Sequence, residues 1–504
     1  MSYMNYKQNK KQFSSVGYGV QLAAWLVVLA VLTLTGCKKF LDVQPQDKID
    51  QPTLFNDEQG FKDALIGVYL GMDKATSAPT TFGLYSNNLT MGMMSTLAYD
   101  YDNATVANAG ANGTFFNNIV NYYYADAALK AETDAIWSAM YSNIANLNNI
   151  LNQIESRKSA FTGDNFDRIK GEAIALRALF HFDLARMYGQ SPVTGMNVKA
   201  IPYIRNFGVR STPFSTLQNA LDSCIADLGT AKDLLAKTDT STVFKAVNDP
   251  FISYTQNHMN YWAVQALMAR VYLYKGDRDN ADKFAKAVIG SNKFPLITSN
   301  VAAVNNPIRD RTFSQELVFS LYSVNVKTNS VTLFEKTAGT PLRLTPAGKL
   351  NIYTTGSGSL NDYRYISWFD NNQAGQNVPS KYFQNSGLPY QLQNIVPLIR
   401  ASEMYYIAAE AAQVKGDISG STTYLNKVRL ARGLTALNAA GINNTDSLSK
   451  EIMKEYQKEF IQEGQTFFYY KRLNKDLKQV TATTVAIPAD VYVFSIPDKE
   501  KEYN

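Results

Sequence analysis

Glu455, Glu459 and Glu463 recur every four residues, so on a helix they share one face. Paired carboxylates are the usual machinery of glycoside hydrolysis, one as acid and the other as base or nucleophile. That chemistry needs two groups facing each other across a cleft, which one side of one helix does not provide. The other use of such a face is ion pairing. Lys454 and Lys458 lie close enough to offset the repulsion, and Arg177, Arg186 or Arg472 would do so across helices. Asp100, Asp102 and Asn103 supply closely spaced hard oxygen atoms of the kind calcium prefers. They lack the glycine and the closing glutamate of an EF-hand loop, which favours a solvated loop over a metal site. The only two histidines, His181 and His258, have no partner at metal-ligand spacing. His181 stands between Phe180 and Phe182, as a core histidine would. No G-x-S-x-G, H-E-x-x-H, Walker or complete G-x-G-x-x-G pattern occurs, and Gly17-Tyr18-Gly19 lacks the third glycine. The expectation is a protein that is not an enzyme and uses no cofactor.

Binding suits the composition better. The chain has 31 Tyr and 26 Phe, and two irregular stretches mix rings with amides and carboxylates. The first holds Tyr85, Asn87, Asn88, Tyr99, Asp100, Tyr101, Asp102 and Asn103. The second runs from Asp362 to Asp370 and holds Tyr365 and Trp368. Sugars present polar edges and weakly apolar faces, so a site for them needs flat aromatic platforms beside hydrogen-bonding groups. The candidate ligand-binding residues are Tyr85, Asn87, Tyr99, Asp100, Tyr101, Asn103, Tyr365 and Trp368. The competing use of these rings is to pin irregular chain onto helices. The formal charge of +6 includes Lys7, Lys10 and Lys11, in a segment expected to be cleaved; the rest is nearly balanced and gives no footprint for nucleic acid.

The elements that must position these stretches are helices. Gly171 to Gly189 is apolar almost all the way round, which marks a central helix. Amphipathic helices are expected over Phe61–Met72, Asp134–Ile154, Thr216–Leu235, Asn260–Tyr274, Ala281–Ile289, Glu403–Lys415 and Glu451–Leu473. Cys224 falls in such a pattern as a small buried residue. Lys275-Gly276-Asp277 and Lys415-Gly416-Asp417 each break a helix before another begins, a tetratricopeptide-like pairing. Ala78–Asn112 is aperiodic, and Phe294–Pro397 is expected to hold short strands and loops. The fold class is therefore mainly α: a scaffold of tetratricopeptide-like helical pairs with long loops and a few short strands. At the start, Lys7, Lys10 and Lys11 precede the apolar run Val20–Leu34 and then Leu34-Thr35-Gly36-Cys37, which looks like a lipobox. Residues 1–36 are expected to be a lipoprotein signal peptide with Cys37 lipidated. Residues 37–504 then form one domain: 37–290 helical with a loop insertion, 291–400 loops and short strands, 401–504 helical.

Five stretches resemble the SusD/RagB family of nutrient-binding outer-membrane lipoproteins. They are Lys38-Lys39-Phe40-Leu41-Asp42-Val43-Gln44-Pro45, the Asp134-Ala135-Ile136-Trp137 opening with Asn146, Asn148 and Asn149, the central helix from Gly171-Glu172-Ala173 to Tyr188-Gly189, the Glu455-to-Arg472 segment, and the tail from Val493 to Asn504. The fourth departs from the family pattern at Tyr456, Gln457, Thr466 and Tyr469. The resemblance implies a lipid-anchored lid, on the cell-surface side of the outer membrane, over a SusC-like TonB-dependent barrel. The lid would capture an oligosaccharide or, in some members, a peptide. The other function classes open to such a sequence are a surface glycoside hydrolase and a tetratricopeptide-like adaptor that binds only protein.

Overall fold

Most of the long helices begin where a nearby side chain supplies a missing hydrogen bond. A computed structural model describes residues 51–502 apart from 77–81, 103–112, 242, 299–307, 336–341, 354–360, 371–376, 384–386, 443, 479–483 and 486–490. The signal segment, Cys37 and Asn103 lie outside the described residues. Within the unit Phe55–Asn504, helix α1 (Glu58–Asp73) starts at Asp57, whose carboxylate accepts from the Gly60 N–H at 2.9 Å. Helix α2 (Ala127–Ile154) starts at Asp126, which accepts from two N–H groups. Helix α3 (Asn165–Tyr188) is followed by the antiparallel pair β1 (Lys199–Pro202) and β2 (Phe214–Thr216), then by α4 (Leu217–Leu235), capped by Thr216. Helices α5 (Tyr261–Lys275) and α6 (Arg278–Gly290) form a hairpin. Strand β3 (Leu317–Tyr322), helix α7 (Pro346–Tyr353) and the short antiparallel pair β4 (Phe369–Asp370) and β5 (Val378–Pro379) lead to β6 (Ile395–Arg400), which pairs antiparallel with β3. Helices α8 (Ala401–Val414), α9 (Ile418–Ala431), α10 (Thr445–Glu459) and α11 (Gln465–Leu473) complete the scaffold.

From α1 to α6 each helix packs on the one before it; α6 then packs on α8, and α8 on α9 and α10. This is a run of tetratricopeptide-like pairs. Helix α3 is central, as its composition predicts, and buried on nearly every side. Gly171 lets α4 come close, since a Cβ there would lie 2.7 Å from Leu235 Cγ. His181 is a core residue. Its Nδ1 lies 2.9 Å from the Arg177 carbonyl, and its Nε2 accepts from the Ile204 N–H at 2.9 Å. Burial pushes its pKa down to about 3, so the imidazole is neutral. Cys224 is buried, and burial pushes its thiol up. The buried Lys471 ammonium donates to the carbonyls of Met187 and Gly189, tying α11 to the end of α3.

Three expectations need correction. The single helix Glu451–Leu473 is two, α10 and α11, parted by Phe460–Gly464. Gln462 (φ 65°) and Gly464 (φ 68°) are left-handed there, which no continuous helix allows. The described part of the aperiodic stretch after Ala78, residues 82–102, contains the helical turns Leu84–Asn88 and Met93–Leu97 and is almost wholly buried. Phe294–Pro397 contains helices as well as strands, among them Val326–Phe334 and α7.

The Lys-Gly-Asp tripeptides work as paired caps. Gly276 (φ 94°) and Gly416 (φ 77°) close one helix in the left-handed region that favours glycine. Asp277 and Asp417 then accept from the N–H groups of Asn280 and Gly420 to open the next. Gly276→Ala, Asp277→Ala, Gly416→Ala and Asp417→Ala are each expected to destabilise the protein by about 1 kcal/mol. A urea midpoint unchanged in all four would contradict this role.

Candidate functional site

Glu455 and Glu459 share a face of α10, while Glu463, expected on the same face, lies in the break beyond it; all three are locked in ion pairs. Glu459 accepts from Arg364 at 2.9 Å, from Arg432 at 2.6 and 3.1 Å, and from Arg400. Glu455 accepts from Arg364 at 2.8 Å, Arg429 at 2.7 Å and Lys458 at 3.2 Å. Glu463 accepts from Arg400 and from Lys381 at 2.7 Å. Lys458 is thus a partner, as its spacing suggests. The cross-helix partners are Arg364, Arg400, Arg429 and Arg432; Arg177, Arg186 and Arg472 instead pair with Asp227, Asp183 and Glu410, and Lys454 with Glu451. Burial alone would raise the Glu455 carboxyl; the charges of Arg364, Lys458 and Arg429 overcome it and hold the group at about 2. Glu459 is likewise held well below the usual carboxylate range by Arg432, Arg400 and Arg364, against the effect of burial. Carboxylates held ionised in this way cannot donate a proton as a glycosidase acid must.

Most of the candidate ligand-binding residues face inward, which corrects the expectation of an open platform built from them. Tyr85 is buried, donates to Asp183 Oδ2 at 2.6 Å and packs edge-on against Phe180. Tyr99 donates to the Val120 carbonyl and Tyr101 to that of Met91, both from buried positions, and Asn87 is fully buried. Trp368 is buried, donates from Nε1 to the Arg311 carbonyl at 2.7 Å, and carries Lys381 Nζ 3.6 Å above its ring. Asp100 and Asp102 are buried rather than solvated. Asp102 accepts from the Thr345 N–H at the start of α7, and Asp100 accepts from Ser95 and from the Gln462 N–H. Among the described residues no group of three or more His, Cys, Asp or Glu is placed to hold a metal ion. The structure does bring the two stretches together: Asp102 abuts α7, whose Lys349 lies against Tyr365 and Phe369. Tyr365 alone of the described candidates is not buried; it is half-buried and packs on the core beside Tyr353.

A second accessible aromatic surface was not among the candidates. Tyr322, the last residue of β3, and Tyr390 share a hydroxyl–hydroxyl hydrogen bond, with ring centroids 6.1 Å apart. Tyr390 is 63% exposed, Tyr322 half-buried, and Asn394 Nδ2 donates to the Tyr322 hydroxyl at 3.3 Å. The adjoining turn is anchored by Ser323 and Asn325, both of which donate to Asp73 at the end of α1. The available signal was weak: Leu317-Val318-Phe319 is a short apolar run of the kind a buried strand has, and Tyr390 begins an amide-rich run. Internal space is small. A cavity lined by Tyr85, Asp183, Arg186, Arg270 and Glu463 has room for about one water.

The scaffold is thus one of helical pairs, with Glu455, Glu459 and Glu463 held in ion pairs and Tyr390 accessible beside Tyr322 and Asn394. Residues 39–273 match the family model described as starch-binding and associating with the outer membrane, and residues 302–501 match that of the SusD family. SusD-like protein P38 of Formosa agariphila is 23% identical over 503 residues, spanning 90% of this chain and 91% of that one. Crystal structures of a SusD-like carbohydrate-binding protein from Bacteroides vulgatus and a SusD superfamily protein from Bacteroides fragilis each match with a TM-score of 0.67. Their identities are 17% and 20%, with 89% and 90% of this chain and 96% and 99% of theirs covered. The chain belongs to the SusD/RagB family. No helix among the described residues is long and apolar enough to cross a membrane.

Asp100 offers a test of the buried packing. Its Oδ2 meets no donor among the described residues, and burial pushes the carboxyl up to about 7 despite the favourable Ser95, Gln462 and Lys381 contacts. Between its ordinary value of 3.8 and 7 the folded chain therefore holds a proton that the unfolded chain has released. Stability falls as pH rises through that window, and the full cost persists above it. Asp100→Asn is expected to match the wild type near pH 4 and to exceed it by about 1–3 kcal/mol at pH 8 in urea unfolding.

Proposed function

We propose that this protein captures an oligosaccharide at the cell surface and delivers it to a SusC-like TonB-dependent outer-membrane barrel, over which it forms the lid. Cys37 would carry the lipid anchor. The reading needs no covalent chemistry: the ligand is held by stacking on exposed rings and by hydrogen bonds from neighbouring amides. The observation that supports it best is the Tyr322–Tyr390 pair with Asn394. It sets a tilted pair of rings, hydroxyls and an amide together on the surface, in a chain whose family includes carbohydrate binders. Tyr365, beside the exposed Ile366, is the second stacking surface.

The test separates binding from folding. Tyr390→Ala and Tyr322→Ala are expected to weaken oligosaccharide binding about tenfold in calorimetric titration while leaving the melting temperature within a degree or two. Trp368→Ala, which empties a buried site, is expected to lower the melting temperature instead. Saturable binding of peptides with none of any saccharide would assign the capture role to a different ligand class. Release of reducing sugar by the purified protein would reject it in favour of hydrolysis.

A further inference from the structure

Among the described residues five lysines are buried: Lys62, Lys349, Lys381, Lys458 and Lys471. Four of them have oxygen acceptors. Lys62 pairs with Glu58, Lys381 with Glu463 and Lys458 with Glu455, while Lys471 donates to main-chain carbonyls. Lys349 is different. It is 3% exposed, and no described carboxylate or carbonyl meets its ammonium. Its neighbours are two aromatic faces, with Nζ 3.8 Å from the ring centroid of Tyr365 and 4.6 Å from that of Phe369. The amide at the start of its helix is already taken, since Asp102 accepts from the Thr345 N–H. Burial, unopposed by any nearby charge, pushes the ammonium down to about 8.

A desolvated cation without a counter-ion is costly unless something supplies one. Ring faces recover part of that cost, and an anion would recover much more. Of the two rings Phe369 is buried, but Tyr365 is only half-buried, and Ile366 beside it is exposed. We infer that Lys349 is the anion-recognising group of a saccharide subsite at Tyr365, taking the carboxylate of a uronic acid or the sulfate ester of an acidic oligosaccharide. The inference rests on the saccharide-binding reading and narrows it to charged glycans.

The wild-type protein, Lys349→Met and Lys349→Arg would be titrated with a neutral oligosaccharide, a uronate-containing one of the same length, and a sulfated one. Methionine keeps the length and packing of the lysine stem, so the melting temperature of Lys349→Met should equal or exceed that of the wild type. Lys349→Met is expected to bind an acidic ligand about tenfold more weakly while binding of the neutral one is unchanged, and Lys349→Arg to retain most of the acidic affinity. The ligand whose affinity falls identifies the anion as carboxylate or sulfate. Unchanged affinity of Lys349→Met for both acidic ligands would overturn the subsite and leave saccharide capture standing. If no saccharide binds any form, saccharide capture fails, and the subsite is then judged with inorganic sulfate alone. A rise in melting temperature of the wild type but not of Lys349→Met would uphold anion recognition; equal responses would overturn it.

Discussion

The carboxylate of Glu459 is the constraint around which the C-terminal half closes. It is fully buried and surrounded by three guanidinium groups from three separate parts of the chain. Arg364 comes from the short helix Tyr363–Ser367, Arg400 from the last residue of β6, and Arg432 from just beyond α9. Arg432 also makes two bonds of 2.7 Å to Glu316, at the entry to β3. A charge this deep is tolerable only when all its partners are in place, and losing one costs about 3–5 kcal/mol. The β3–β6 pair, α9 and α10 therefore close together or not at all.

The same constraint explains why the chain turns directly after Glu459. Glu463 must reach Arg400 and Lys381, and the left-handed residues Gln462 and Gly464 allow the turn that brings it there. Lys381 N–H and the Tyr382 hydroxyl donate to Gln462, which holds the turn in place. Gly464 in turn presses on the first aromatic stretch: a Cβ there would lie 2.2 Å from the Leu89 carbonyl oxygen. Leu89, Met94 and Ser95 of that stretch lie against the break, and its rings Tyr85, Tyr99 and Tyr101 are spent on packing.

What was legible in the sequence follows from range. The helices were legible because periodicity and caps are local, and Lys-Gly-Asp marks a C-cap and the next N-cap within three residues. Glu455 and Glu459 were legible as one face and Lys458 as a partner one turn away, but Glu463 was not, because the helix ends at Glu459 and the break turns Glu463 off that face. Its arginine partners were not, because Arg364 and Arg400 lie about 60 to 95 residues from Glu459 in sequence and meet it only through tertiary closure. Composition marked the two aromatic stretches as unusual without saying which way their rings point. Burial turned Trp368 and Tyr99 inward, while Tyr322 and Tyr390 drew no notice because a strand-ending tyrosine and a turn tyrosine are individually ordinary. Lys349 was invisible for the same reason, since its peculiarity is the lack of a described acceptor.

Those surface rings are nonetheless tied to the buried charges. Tyr365 follows Arg364 directly, so the helix turn that carries it is held by bonds to Asp362, Glu455 and Glu459. Tyr322 ends the strand that Glu316 introduces, and Tyr390 precedes the strand that ends in Arg400. A stacking platform gains affinity by being ordered before the ligand arrives, because little freedom is then lost on binding. For the platform proposed here that order would come from ion pairs within the scaffold, a residue or one strand away from each ring. The surface rings and the buried charges are thus separate layers, and a change of ring at Tyr322, Tyr365 or Tyr390 leaves the ion pairs beneath it in place.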